Sequence, residues 1–229
     1  MRDEGVLSGA ANYSRPVRAP SSFVHADPEP LKTFFSRVFC IVLLVALAPL
    51  LTLISIAIHL QDGGPVLFGH TRVGRDGRLF RCLKFRTMAV DAEERLAAYL
   101  ACDPQARREW RLDQKLRDDP RITPLGNYLR RSSLDELPQL FNVLRGDMSL
   151  VGPRPIVPDE VVRYGWRFRH YCRVKPGITG LWQVTGRNDV SYRRRVAMDV
   201  MYARSHCLAG DLRILAMTVP AVLLRRGSY

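Results

Sequence analysis

The run VFCIVLLVALAPLLTLISIAIHLQ, residues 38–61, holds 24 positions without Lys, Arg, Asp or Glu. A helix needs about 20 apolar residues to cross the hydrocarbon core of a bilayer, so the run is long enough for membrane insertion. It is a poor secretory signal, since a long tail precedes it and no A-x-A cleavage site ends it. Pro49 stands in the middle. It gives the helix no N–H and its ring crowds the preceding turn, so a kink or break is expected there. Eleven residues lie on each side, at 38–48 and 50–60. Each arm would rise about 16 Å, half the hydrocarbon thickness. A kinked span and a re-entrant helix-break-helix both satisfy these lengths, and the segment alone favours the span as the commoner geometry. Lys32 and Arg37 precede the run, and Arg72, Arg75 and Arg78 follow it. Cations on both flanks point to two cytoplasmic ends.

Outward from this segment the chain divides simply. Residues 1–30 carry Pro16, Pro20, Pro28 and Pro30, several serines and no apolar period, the pattern of a flexible tail. Residues 62–229 are soluble in character and strongly basic, with 30 Lys or Arg against 18 Asp or Glu. That balance favours anionic partners: nucleic acid, an acidic membrane surface or phosphorylated small molecules. The five cysteines include no C-x-x-C, and the histidines complete no zinc pattern, so a reduced compartment is expected. Alternation around Arg78–Met88 predicts a strand, 90–116 one or two helices, 134–144 a short helix ended by Gly146, and 191–205 another. Gly152 to Pro158 reads as a rigid loop, and 176–186 as glycine-rich and irregular.

Several common devices are missing: P-loop, Rossmann fingerprint, D-x-D, G-x-S-x-G and H-E-x-x-H. The sharpest local feature is SSLDELP, residues 132–138. Ser133 and Glu136 have capping-box spacing, which would make them purely structural. Pro138 fits a helix better if Asp135 is the N-cap, because its missing N–H then falls where no bond is expected. An N-cap Asp135 would be held ionised by the helix dipole, with a lowered pKa. Lys84, Arg86, Arg130, Arg131 and Arg154 are candidate phosphate ligands, and Pro153 and Pro155 restrict the backbone around Arg154. Adjacent carboxylates amid cations suit a metal-bound diphosphate.

These residues carry a family resemblance. LKFRTM (83–88), DPRITPLGNYLRRSSLDELPQLFNVLRGDMSLVGPRP (119–155), KPGITGLWQVTGRNDVSY (175–192) and LAGDLRIL (208–215) resemble the bacterial sugar transferases. These are monotopic polyprenyl-phosphate phosphoglycosyl transferases that start exopolysaccharide and O-antigen assembly. DGG (62–64), GHTRVG (69–74) and the terminal RGSY look like the exopolysaccharide-type galactose-1-phosphate transferases. The resemblance implies transfer of a sugar 1-phosphate from a UDP-sugar to undecaprenyl phosphate, with release of UMP. It implies Asp135 as covalent nucleophile and Glu136, beside Asp135, as Mg²⁺ ligand. It maps phosphate-binding positions to Lys84, Arg130 and Arg154, and a C-terminal acidic site residue to Asp211. It also makes the apolar segment re-entrant, with its break at Pro49. Two places depart from the family pattern: Ala48-Pro49 replaces Ser-Pro, and Ser36-Arg37-Val38-Phe39-Cys40 replaces Lys-Arg-x-Phe-Asp.

The expected fold is α+β and mostly helical. A flexible tail (1–33) leads into a re-entrant membrane segment (34–61), then a compact cytosolic catalytic domain (62–229) with a small sheet and interfacial helices. The expected place is the cytoplasmic face of a bacterial inner membrane, with membrane lipid as a partner and a homodimer compatible with the sequence. The sugar is hexose, galactose first, with glucose and N-acetylhexosamine as alternatives. A membrane-anchored protein binding nucleic acid or anionic lipid would explain the charge but leaves Asp135, Glu136 and Arg154 unused. A silent scaffold is a third reading. The enzyme reading has no nucleic-acid partner.

Overall fold

The computed structural model describes residues 29–114, 116–185 and 190–223. Most of the expected tail, Gly186 at the end of the glycine-rich stretch with the three residues after it, and the terminal RGSY lie outside the described residues.

Helix α1 spans Glu29–Asp62 and begins earlier than the expected membrane segment. It runs through Pro49 as one helix, with no non-helical residue separating two arms. Pro49 has no N–H for the ladder, but the hydroxyls of the next turns bond back to the chain. Thr52 Oγ1 donates to the Ala48 carbonyl at 2.9 Å and Ser55 Oγ to the Leu51 carbonyl at 2.7 Å. Such back-bonding is a common accompaniment of helix bending, and here Thr52 supplies a hydroxyl that Ala48 cannot. Gly63, at φ 67°, ends the helix by donating its N–H to the His59 carbonyl.

Both arms of α1 pack on the same globular body. Cys40, Leu43 and Leu44 join a core of Cys82, Leu140, Val143, Met148, Tyr202 and Ile214. Leu51, Ile54 and Ile58 join a second core with Phe85, Leu125, Leu129 and Leu134. The intervening turn around Pro49 belongs to neither core. Phe34, Phe35, Val42, Val45, Leu53 and Leu60 point away and are exposed. The helix is thus apolar on the face that the protein leaves uncovered.

Strands β1 (Leu67–Val73) and β2 (Leu79–Phe85) form an antiparallel hairpin in full register, from Leu67 opposite Phe85 to Val73 opposite Leu79. β2 is the strand the alternation predicts. β1 has no clean alternation, and Gly69 weakens it further, so it is not evident in the sequence. Helices α2 (Ala92–Cys102), α3 (Pro104–Asp113) and α4 (Pro124–Ser132) follow. Thr123 caps α4, accepting the Gly126 N–H at 2.9 Å, with Pro124 at the first helical position.

The expected 134–144 helix is divided. A 3-10 turn covers Leu134–Glu136, and α5 covers Gln139–Arg145, ending at Gly146 with φ 90°. Strand β3 (Ser149–Val151) pairs in parallel with β4 (Gly177–Thr179), a second small sheet. Short helices α6 (Val161–Tyr164), α7 (Phe168–Tyr171) and α8 (Leu181–Thr185), then α9 (Tyr192–Ser205) and α10 (Leu208–Leu223), complete the mostly helical body. A third core of Val73, Ile156, Tyr164, Phe168, Tyr171 and Val196 holds the far end of the hairpin.

Candidate active site

Strand periodicity builds one wall. Residues opposite each other in an antiparallel pair share a face, so Arg72, Cys82 and Lys84 look the same way. A buried amide fixes this wall against α5. Asn142 Oδ1 accepts the Leu83 N–H at 2.9 Å, and its Nδ2 donates to the Arg81 carbonyl at 2.8 Å. That side chain completes the backbone bonding of β2 as a neighbouring strand would, which sets the height of Lys84.

The second wall comes from the end of α4. Ser133 takes the left-handed conformation, φ 57°, and turns the chain so that Asp135 and Glu136 meet Lys84. Left-handed backbone is uncommon outside glycine, and such conformations gather at functional sites. Lys84 Nζ lies 3.3 Å from Asp135 Oδ2 and 2.7 Å from Glu136 Oε1. One cation therefore serves two adjacent carboxylates.

The electrostatics differ from the local expectation. Asp135 is not the N-cap of a helix. It lies inside the 3-10 turn, and α5 begins only at Gln139, with Pro138 as a cap that accepts no side-chain bond. Ser133 makes no capping bond either, so the capping-box reading also falls. Burial pushes the Asp135 carboxyl above its ordinary range, with Glu136 adding to the rise and Lys84 and Arg130 opposing it. For Glu136, burial is outweighed by the charges of Lys84 and Arg154, and its carboxyl is held below the ordinary range. Burial lowers the Lys84 ammonium, but Glu136 and Asp135 more than compensate, so it stays charged. Paired carboxyls pushed in opposite directions are a mark of differentiated chemical roles.

Arg154 closes the third side. Backbone touches backbone beneath it: Gly152 N donates to Thr179 O at 3.0 Å and Gly177 N to Pro153 O at 2.8 Å. A Cβ on Gly152 would stand 2.4 Å from the Lys175 carbonyl oxygen, so only glycine permits this approach. The Arg154 guanidinium lies 5.9 Å from the centre of the Trp182 ring, and Arg195 stacks on the same ring at 4.7 Å. Arg72 Nη1 donates to the Pro155 carbonyl at 3.1 Å. Below the loop, buried Asp199 accepts the Tyr164 hydroxyl at 2.7 Å and the Arg154 backbone N–H. Burial pushes the Asp199 carboxyl up to about 7, despite those bonds.

The result is an open cleft lined by Arg72, Lys84, Glu136, Gln139, Arg154 and Gln183, among others. Lys84, Asp135, Glu136 and Arg154 are brought together as the sequence anticipates. Arg130 stands close by, its Nε donating to Thr87 Oγ1 at 2.8 Å, near enough for the Asp135 charge to act on it. Arg86 and Asp211 lie elsewhere. Arg86 clamps the end of α1, with Nη1 2.7 Å from Asp62 Oδ2 and a further bond from Nη2 to Asp62. Asp211 binds Lys32 Nζ at 2.7 Å and accepts the Tyr202 hydroxyl at 2.7 Å, tying α1 to α9 and α10. Arg72 stands out in the sequence only as a cation flanking the apolar run, and Gln139, Trp182, Gln183, Asn142 and Asp199 are not singled out. Asp199 alone leaves a trace there, an acidic residue on the same helical face as apolar Val196 and Ala203.

The model of the bacterial sugar transferase family matches residues 28–225, a stretch that takes in α1, the hairpin, the carboxylate turn and Arg154. The chain belongs to the bacterial sugar transferase family. It is 49% identical over 198 residues to the exopolysaccharide production protein ExoY of Sinorhizobium fredii, covering 86% of this chain and 88% of that one. It is 52% identical over 213 residues to the undecaprenyl-phosphate galactose phosphotransferase of Salmonella typhimurium, covering 93% of this chain but 44% of that longer protein. An undecaprenyl-phosphate glucose phosphotransferase of Komagataeibacter xylinus is 41% identical over 211 residues, 86% of this chain and 37% of its own. This sugar transferase thus spans less than half of the two phosphotransferases and most of the exopolysaccharide protein.

Proposed function

We propose that this sugar transferase moves hexose 1-phosphate, galactose 1-phosphate first, from a UDP-hexose to undecaprenyl phosphate, and so initiates exopolysaccharide assembly. It is a polyprenyl-phosphate sugar-1-phosphate transferase. The observation that carries the detailed mechanism is a cleft lined by Lys84, Glu136, Arg72 and Arg154, with buried Asp135 bonded to the same Lys84 ammonium.

Asp135 Oδ attacks the β-phosphorus of the UDP-sugar. The bond from that phosphorus to the bridging oxygen breaks, and UMP leaves with the electron pair. The aspartyl phosphosugar is then attacked by a phosphate oxygen of the lipid, which breaks the aspartyl–phosphorus bond and restores the carboxylate. Lys84, Arg72 and Arg154 neutralise charge on the phosphates. Burial makes Asp135 a more basic nucleophile once it is ionised, and Lys84 and Arg130 favour that ionised form.

The donor set fits Mg²⁺. That ion takes one or two carboxylates and completes its shell with water and substrate phosphates; here Glu136 lines the cleft and Asp135 stands beside it, both bonded to Lys84. No group of three His, Cys, Asp or Glu forms a fuller metal cage among the described residues. Glu136 and Asp135 would hold the ion, which supplies neutralising charge to the diphosphate when bound.

α1 would enter the cytoplasmic leaflet of the bacterial inner membrane from one side. Packing of both its arms on one body supports this reading, since neither end departs from the domain. Single cysteines at Pro30 and Gln61, in a cysteine-free background, should both resist labelling from the periplasm of spheroplasts. Periplasmic labelling of one of them would establish a span instead.

The donor is tested with the purified chain in nanodiscs containing undecaprenyl phosphate and a panel of UDP-sugars. UMP release and lipid-linked product should be greatest with UDP-galactose, in keeping with the higher identity to the galactose than to the glucose enzyme. Equal or faster turnover with UDP-glucose or UDP-N-acetylglucosamine would overturn the donor, and absence of lipid-linked product would overturn the acceptor.

A further inference from the structure

A second, shallow cleft opens where the first turns of α1 meet α5 and β3. Thr33, Ser36, Ser149 and Lys175 line it, together with Lys32, whose ammonium is already bonded to Asp211 and Tyr202. One further cationic group, Arg37, converges with Lys175 beside Gly146. Arg37 Nη2 lies 3.4 Å and Lys175 Nζ 4.0 Å from the point where a Cβ on Gly146 would stand. Gly146 has φ 90°, so the chain turns sharply there and leaves no side chain between the two cations. Neither Arg37 nor Lys175 has an ion pair with another described residue. Two like charges held together without a counter-ion among the described residues, beside hydroxyl groups, invite an anion.

The surroundings specify the kind of anion. Phe34, Phe35, Val38 and Phe39 are exposed on the same turns of α1 as Arg37. A charged group here sits against a surface that favours hydrocarbon, which is the two-part character of a phospholipid or a polyprenyl phosphate. The cleft also neighbours the catalytic one. Gln139 lines the catalytic cleft and Val143 the second, four residues along α5 and about 6 Å apart. Gly177 lines the catalytic cleft and Lys175, two residues before it, the second.

We propose that Arg37 and Lys175, with the hydroxyls of Ser36, Thr33 and Ser149, bind the phosphate of a membrane lipid whose chain lies along α1. Where the lipid is the polyprenyl acceptor, the site holds it one helical turn from the catalytic cleft, and that extension alone rests on the proposed reaction.

The test is native mass spectrometry of the full chain in mild detergent, titrated separately with undecaprenyl phosphate and with phosphatidylglycerol. The wild type should retain a bound lipid, and Arg37→Gln/Lys175→Gln should weaken that binding by about tenfold, the value of one or two charge-assisted phosphate contacts. The charge-preserving Arg37→Lys/Lys175→Arg should bind as the wild type does, which separates lost charge from lost folding. A loss confined to undecaprenyl phosphate assigns the site to the acceptor, and an equal loss for both lipids assigns it to bulk headgroups. Unchanged binding of both lipids by the Gln variant overturns the proposal, as does loss of binding in the charge-preserving one. UMP release by the wild type without lipid tests the proposed reaction independently of these results.

Discussion

Asp135→Asn is expected to abolish turnover, by about 10⁴-fold or more, and to abolish a hexose-phosphate adduct on the protein. The amide keeps the volume of the carboxylate but cannot attack phosphorus. Folding should survive. Burial already disfavours the Asp135 charge, and Lys84 keeps Glu136 as its nearer partner at 2.7 Å. The measurement is single-turnover UMP release from a UDP-sugar without lipid, followed by intact-protein mass spectrometry. Wild type should gain one hexose phosphate, mapped to Asp135. An adduct on the Asn variant, or none on the wild type, would transfer the chemistry to direct displacement in a ternary complex.

Lys84→Met should be nearly as damaging, by about 10²–10³-fold, the cost of losing a preorganised charge in a partly closed site. Its wider effect is on protonation. Without the shared ammonium, two neighbouring carboxylates face burial and each other's charge, and one takes up a proton rather than remain an uncompensated anion. The acidic limb of the pH–rate profile should therefore move to higher pH, because Asp135 must lose its proton to attack. Lys84→Arg should return part of the rate and most of the profile. A Met variant that is slow but keeps the wild-type pH profile would show that Lys84 binds phosphate without governing the carboxylates.

The sequence makes the apolar helix, the Asp135-Glu136 pair and the cations at Lys84 and Arg154 legible, because each is announced by composition or by neighbours in the chain. It does not make their partners legible. Arg86 has the strand parity of Lys84, yet β2 ends at Phe85 and the guanidinium turns to Asp62. Asp211 is acidic and lies in a matching motif, but it finds Lys32 on α1 rather than the cleft. The ionisation of Asp135 shows the same limit. Capping rules concern a few adjacent residues, whereas burial is imposed by β2, α4 and α5 together, and burial wins. Arg72 enters the site through a strand whose mixed faces hide it, and Asp199 through contacts with Tyr164 and Arg154 far along the chain.

Cys40, Ile54 and Ile58 belong at once to the apolar helix and to the cores of the globular body. α1 is therefore not a handle that can be cut away to leave a soluble enzyme. Removing it would uncover Phe85 and Leu129 in one core and Cys82 and Leu140 in the other, on the strand that carries Lys84 and on the helices packed against it. A helix so placed has two solvents to satisfy, lipid outward and protein inward. The catalytic body is therefore complete only with α1 in place, and whatever holds the outward face of that helix bears on the strand that carries Lys84.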